Sequence, residues 1–312
     1  MKKKIIYRVS NWPEYNRALK NRYRITIYMT EEVLSSWYAE PTGRRGAPRR
    51  YSDLAIKFVL TIRALLNLPL RGCQGLVESL FWSAGISLEC PDYTTLSRRG
   101  KTVKIDLRRP RKGENLFIAV DSSGLKIYGE GEWKVRMHGI SKRRTWRKLH
   151  IGVDIASGMI ISGVLSTADV HDSEVMPLLL EGLRDRLRAM AADGAYDTRR
   201  VYDALSGVGA AAIIPPRAGA RIWRHGNCRG SPHARDENLR RIREVGLARW
   251  KESSGYHGRS LAENSFFRLK TMFGEKLRSR KFRNQVPEAF LRLELLNRMT
   301  ELGMPDSYPV IS

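Results

Sequence analysis

Leu116-Phe117-Ile118-Ala119-Val120 is an unbroken apolar run that ends in a carboxylate, Asp121. It predicts a strand with an acid at its end. His150-Ile151-Gly152-Val153-Asp154 and Gly158 to Val164 read as a hairpin turned at Ile155-Ala156-Ser157-Gly158. Asp172 to Leu187 is expected to be helical, with Val175, Leu179 and Leu183 on one face. Arg188 to Ala192 is a short run of mostly small residues that ends in Asp193-Gly194, and Thr198 opens another helix. Ala211 to Ile214 is a strand stopped by Pro215 and Pro216. Helices are expected around Asn238–Trp250, over Ser260–Phe273 and over Val286–Leu302. Strands first, then strands alternating with helices, indicate an α/β fold: a mixed sheet flanked by helices.

Upstream the pattern is helical. Ser52 caps a helix with Leu54, Phe58, Ile62, Leu65 and Leu66 close to helical period, and Leu68-Pro69-Leu70 breaks it. A second helix begins near Gly75, and Pro91-Asp92-Tyr93 opens a short third one. A helix-turn-helix offering Thr94, Thr95, Arg98 and Arg99 to DNA fits this order, as does a helical bundle with a basic exterior. Arg24 to Met29 alternates like a short strand or extended arm, and Thr30 looks like an N-cap. Residues 41–50 place Arg44, Arg45, Arg49 and Arg50 among Gly and Pro, which suits either a minor-groove arm or a solvated linker. The expected division is a region for DNA binding and dimerisation over 1–112, and a catalytic domain over 113–303 with a basic insertion at about 217–250. A tail over 304–312 follows.

The 312 residues carry 56 Lys plus Arg against 32 Asp plus Glu, a formal net charge of +24. A folded chain tolerates that self-repulsion most easily beside a polyanion, so nucleic acid is the expected partner. At 42% hydrophobic content with seven tryptophans, the chain can bury a core, and disordered or fibrous classes are excluded. No apolar stretch is long enough for a bilayer span, and Met1 to Arg8 lacks the apolar segment of a secretory signal. No membrane role and a cytoplasmic, nucleoid-associated location are expected. Cys73, Cys90 and Cys228 are odd in number and far apart, which fits a reducing compartment. His225, Cys228 and His233 are a weak metal signal without a fourth ligand.

The chemistry gathers on carboxylates. Asp121 and Asp193 both end strand runs, where either alone reads as a cap. The third acid stands in Tyr256-His257-Gly258-Arg259-Ser260-Leu261-Ala262-Glu263, continuing to Lys270. At about 100° per residue from Tyr256, Arg259, Glu263 and Lys270 fall within a stripe roughly 60° wide. Leu261, Ala262, Phe266 and Leu269 take the buried side. Such a stripe is ordinarily an i,i+4 ion pair; beside the core face of an α/β unit it can instead look into the sheet. Gly255 and Gly258 leave open where the helix begins.

The spacing Tyr256-x2-Arg259-x3-Glu263-x6-Lys270 resembles the Y-R-E-K signature of bacterial DDE transposases, with Asp121 and Asp193 resembling the first two acids. Asn11-Trp12-Pro13-x-Tyr15-Asn16, Tyr128 to Lys134, Arg144 to His150, Ile214-Pro215-Pro216-Arg217 and Leu296 to Thr300 extend the likeness over nearly the whole chain. Together they resemble transposases of insertion sequence five and its relatives. That resemblance implies a ribonuclease-H-like core preceded by an N-terminal helical DNA-binding region. It implies terminal inverted repeats and target DNA as double-stranded partners, and a homodimer or larger assembly on them.

Phosphodiester cleavage must stabilise an attacking and a leaving oxygen, which two Mg²⁺ ions about 4 Å apart do, with Mn²⁺ as a substitute. Asp121 is expected to bridge both ions, Asp193 to bind one and Glu263 the other. The resemblance implies that water attacks the element end and frees a 3′-OH, which then attacks target DNA. Arg259 and Lys270 are expected on phosphates, and Tyr256 on the DNA backbone. The stretch 133–150 interleaves Trp133 and Trp146 with Lys134, Arg136, Lys142, Arg143, Arg144, Arg147 and Lys148. It reads as phosphate neutralisation with base stacking, or as a solvated hairpin. His171 is a candidate supporting residue, Asp172 reads as an N-cap, Asp154 as a turn residue and Asp197 as a cap. Two other functions remain: a catalytically silent DNA-binding repressor, and a structure-specific nuclease on the same core.

Overall fold

The computed structural model describes residues 5–41, 43, 46, 48–107, 115–127, 146–224 and 232–311. Arg44, Arg45, Trp133, Lys134, Arg136, Lys142, Arg143, Arg144, His225 and Cys228 lie outside the described residues. The chain forms two compact units, one of Met1–Ile105 with Lys281–Ser312 and one of Asp106–Arg280.

The first unit begins with β1 (Ile5–Val9), α1 (Trp12–Asn21), α2 (Ile25–Tyr28), α3 (Glu31–Ser35), α4 (Asp53–Leu65), α5 (Leu70–Ser83) and α6 (Tyr93–Arg99). The Ser52 hydroxyl accepts from Ala55 N at 3.1 Å, a cap worth about 1 kcal/mol. Asp92 does the same for α6, accepting from Thr94 N and Thr95 N. Hydrogen bonds from the Thr94 and Thr95 side chains first, then these backbone bonds, hold its carboxyl down at about 2. Trp37 is fully buried, edge-on to Phe58 and Phe81, and donates its indole N–H to Glu89 O. Ile25 to Met29, expected to be extended, forms a helical turn instead. Ile25 and Tyr28, three residues apart, both pack on this core, and a period of three is helical.

The second unit carries β2 (Leu116–Ile127), β3 (Trp146–Asp154), β4 (Ile160–Thr167), α7 (Asp172–Leu179), β5 (Leu187–Ala191), α8 (Arg199–Ser206) and β6 (Ala211–Ile213). It continues through α9 (Ala234–Val245), α10 (Leu247–Ser253), α11 (Ser260–Phe273) and β7 (Lys276–Leu277). The sheet runs β4-β3-β2-β5-β6, with β7 also on β2. The β2–β3 and β3–β4 pairs are antiparallel, and β2–β5 and β5–β6 are parallel. Counted by strand along the chain this is the order 3-2-1-4-5, the ribonuclease-H-like arrangement.

Leu116, Ile118 and Val120 point into a core shared with Val175, Met176 and Leu179 of α7 and Val201, Tyr202 and Leu205 of α8. On α11, Ala262, Phe266, Leu269 and Phe273 are buried, and the helix packs on β2 and β3. The helix expected over Asp172–Leu187 ends at Leu179, and the chain turns toward β5 through Gly182, which takes a left-handed conformation at φ 77°. The helix expected around Asn238–Trp250 is two helices broken at Gly246.

The chain then returns to the first unit with α12 (Phe282–Leu302) and β8 (Ser307–Ile311), which pairs antiparallel with β1. This differs from the expected boundary at 303. Glu294 of α12 ion-pairs with Lys57 of α4 at 2.5 Å, and Asn284 donates to Ser97 O, so the closing helix completes the N-terminal unit. No described helix is long and apolar enough to cross a membrane.

Candidate active site

Side chains alternate along β2, so Asp121 and Ser122 leave opposite faces. Val120 belongs to the core under α7, whereas Asp121 reaches the face of α11 and stands 3.9 Å from the Arg259 guanidinium. The same guanidinium hydrogen-bonds Glu263 through its other terminal nitrogen. Asp193 stands two residues beyond β5, the neighbour of β2, and caps the 3-10 turn Gly194–Tyr196, its Oδ1 accepting from Ala195 N at 2.9 Å.

The carboxylates sense one another. Burial pushes the Asp121 carboxyl above its ordinary range; the Ser122 N–H and Arg259 oppose that shift, and the negative charges of Asp193 and Glu263 add to it. Three acids from a central strand, a strand-end turn and a helix therefore share one corner of the sheet.

Tyr256 and Arg259 lie in a 3-10 turn, Tyr256–Arg259, that runs directly into α11. Residues three apart eclipse in a 3-10 turn, which aligns Tyr256 with Arg259 more closely than a uniform α-helix does. Arg259 and Lys251 lie 5.7 and 5.3 Å from the centre of the Tyr256 ring. Gly258 lets this turn come close to the β3–β4 hairpin turn: a Cβ there would meet Ile155 Cδ1 at 2.8 Å and Cγ2 at 3.1 Å. Lys270 is half-buried and, seven residues along α11, stands roughly 10 Å from Glu263.

The opposite face carries a polar cluster. Asp172 does not cap α7; His171 takes the N-cap position, exposed and making no capping bond. Asp172 instead accepts from Ser122 Oγ at 3.2 Å and pairs with Lys148 Nζ at 2.7 Å. Fully buried His150 lies 3.8 Å from the same carboxylate and shares a 3.0 Å hydrogen bond with Ser166. Burial depresses its pKa to about 4. Tyr196 is buried beside Asp172, Asp121 and Asp193, and burial first, then those charges, keep its phenol protonated.

Several expected DNA contacts change. Arg99 is buried, donating to Tyr51 O and pairing with Asp53 at 2.6 Å, which removes it from the residues set to meet DNA. Lys148 is committed to Asp172 and to Val170 O in the same way. Arg98 faces outward and donates to Thr95 Oγ1. Arg49 and Arg50 are exposed, with Arg50 paired to Glu89. Trp146 lies against β2, where a Cβ at Gly124 would meet its ring at 3.2 Å, and Arg147 beside it is half-buried. Asp154 accepts from Ser157 N, the turn role expected of it. Asp197, expected as a cap, is instead buried against Arg235 at 2.7 Å. His233 packs on Trp223 and Tyr202 and caps α9.

Residues 112–298 match the family described as Transposase DDE domain, and residues 20–130 match a second family of the same description. The first match spans more than half of the chain. This chain belongs to the DDE transposase family. A structural likeness extends to the piggyBac transposase synaptic complex with hairpin DNA, at 12% identity over 94% of this chain and 76% of that one, with a TM-score of 0.45. Another is to the simian T-cell lymphotropic virus intasome bound to PP2A regulatory subunit B56 gamma, at 14% identity, 65% and 66% coverage and a TM-score of 0.23. At these scores the assignment of the transposase fold rests on its strand order.

The donor set suits a hard divalent cation: three carboxylates supply hard oxygen ligands, and Asp193 and Glu263 lie near enough to add to the burial that raises the Asp121 carboxyl. No three described His, Cys, Asp or Glu side chains form a ready-made metal cage. Arg259 is the cation that meets both Asp121 and Glu263 here.

Proposed function

We propose that this transposase binds the terminal inverted repeats of an insertion sequence, cleaves DNA at the element ends and joins the freed 3′-OH to target DNA. The convergence of Asp121, Asp193 and Glu263 on one sheet corner, with Arg259 between two of them, carries this reading. The Tyr256, Arg259, Glu263 and Lys270 pattern supports placement among the relatives of insertion sequence five.

Asp121, Asp193 and Glu263 would hold Mg²⁺, with Mn²⁺ as a substitute. Bound there, the metal supplies charge stabilisation to the attacking and leaving oxygens. Glu263 must release Arg259 to join the other two acids, and the guanidinium so freed is placed for a phosphate oxygen, which it grips better than an ammonium does. Tyr256, its ring flanked by Lys251 and Arg259, supports the DNA backbone, and Lys270 meets a phosphate further along the helix. Arg49, Arg50 and Arg98 are the exposed first-unit cations proposed to meet duplex DNA, and Arg143, Arg144, Arg147 and Trp146 are proposed to meet it from the second unit. His171, exposed at the N-cap of α7, is proposed only as a supporting residue beside Asp172. Paired ends need one active site each, so a homodimer or larger assembly on DNA follows, in a nucleoid setting.

Cleavage of a labelled duplex spanning the element boundary tests this reading, with wild type and Asp121→Asn compared in Mg²⁺ and in EDTA. Metal-dependent cutting at the boundary by wild type alone is expected, with end binding equal in both proteins. Tight binding without cutting by assembled wild type would make the chain a silent DNA binder.

A further inference from the structure

Asp193 sits on a turn rather than inside a strand, so something must hold that turn. Arg217, just past the strand-stopping Pro215 and Pro216, reaches back to it. Its Nε donates to Gly194 O at 2.9 Å and its Nη2 donates to Ala195 O at 3.0 Å. These two carbonyls belong to the 3-10 turn that Asp193 caps, and the Ala195 N–H is the group that orients the Asp193 carboxylate.

Arg217 is itself anchored. Its backbone N donates to Asp197 Oδ2 at 2.9 Å, and Asp197 is buried in a two-point pair with Arg235, at 2.7 and 3.3 Å. Arg235 also donates to Arg221 O at 2.8 Å and lies 4.0 Å from the centre of the Trp223 ring. The start of the expected basic insertion is thus tied through a buried ion pair to the turn that carries the second acid. The Arg217 side chain is exposed, and its fork spans two carbonyls, which the single ammonium of lysine cannot hold in the same geometry.

We propose that Arg217 is a positioning residue for Asp193, clamping the turn at 194–195 so that the carboxylate is already oriented when metal and DNA arrive. This rests on reading Asp193 as the second catalytic acid.

The test compares wild type, Arg217→Ala, Arg217→Lys and Asp193→Asn. The measurements are hydrogen exchange over 193–197, Mn²⁺ binding by calorimetry, end binding in EDTA and single-turnover cleavage. Both Arg217 variants should exchange faster at Ala195 to Asp197. They should also bind Mn²⁺ more weakly and cut about 10-fold or more slowly, a loss usual for residues that orient metal ligands. End binding in EDTA should match wild type. Full rescue by Arg217→Lys, or weaker end binding by Arg217→Ala with unchanged exchange, would overturn the proposal and make Arg217 a phosphate contact. Undiminished cutting by Asp193→Asn would instead overturn the reading of Asp193, and the proposal with it.

Discussion

Arg259 stands 3.9 Å from Asp121 through one terminal nitrogen and hydrogen-bonds Glu263 through the other, so one guanidinium serves two acids of the proposed triad. The Glu263 side chain is about half exposed, at 52%, but Arg259 and Asp121 are each only 18% exposed, so removing the guanidinium leaves a largely buried carboxylate without its cation. Arg259→Ala should therefore lower stability by about 1–2 kcal/mol while slowing cleavage at least about 100-fold. Denaturant unfolding beside single-turnover kinetics checks this. A stability loss as large as the kinetic one would assign Arg259 a structural role.

Gly258→Ala should cost about 1–2 kcal/mol, because its new Cβ would meet half-buried Ile155 at Cδ1, 2.8 Å away, and at Cγ2, 3.1 Å away. Rotating Ile155 about χ2 relieves only the Cδ1 contact, so the Cγ2 contact shifts the 3-10 turn and carries Tyr256 and Arg259 with it. Ile155→Val removes that Cδ1, so the double variant should regain part of both stability and cleavage rate. No recovery in the pair would show that the close approach does not set the turn.

Asp172→Asn should destabilise the second unit by about 2 kcal/mol, because it leaves Lys148 and its 28% exposed side chain without an anion. Lys148→Met in the same chain should restore part of the loss, and a double-mutant cycle reads the coupling. Since Lys148 is committed to Asp172, Lys148→Gln should leave the salt dependence of end binding unchanged. A shallower salt slope would return Lys148 to the phosphate contacts.

His150 gives the fold an acid limit. Its folded pKa of about 4 lies below the ordinary 6.5, so the unfolded chain binds the extra proton first. Its contribution is fully present above pH 6.5 and is lost as pH falls toward 4, by roughly 3 kcal/mol in all. The groups facing the ring are Asp172, Lys148 and Ser166. Asp121, its folded pKa raised, works in the opposite direction, so only a comparison with His150→Gln isolates the histidine. Urea midpoints from pH 7.5 to 4.5 should fall more steeply for wild type than for the variant. Equal slopes would show that the buried imidazole is not the titrating group.

What the sequence made legible follows from local signals. The hairpin turned at 155–158 and the capped helices at Ser52 and Asp92 are short-range patterns, and they form as read. The strand expected to end at Asp121 instead runs on to Ile127, because its polar second half pairs with β3 far along the chain. The Tyr256 to Lys270 spacing marked the helix that faces the acids. The roles of Arg99, Lys148, Asp172 and Asp197 were hidden because each depends on a partner far along the chain: Asp53, Asp172, Ser122 and Arg235. A cation read from sequence looks available to DNA until its counter-ion is found. The return of α12 to the first unit was invisible for the same reason, resting on Lys57 and Glu294.

Strand joining tests the central claim most directly. A pre-cut duplex ending in the element's 3′-OH would be incubated with supercoiled plasmid and Mg²⁺, using wild type and Glu263→Gln. The account expects wild type to link the end covalently to plasmid, and Glu263→Gln to bind the end equally well yet join none. Joining by Glu263→Gln at the wild-type rate would contradict the proposed carboxylate triad.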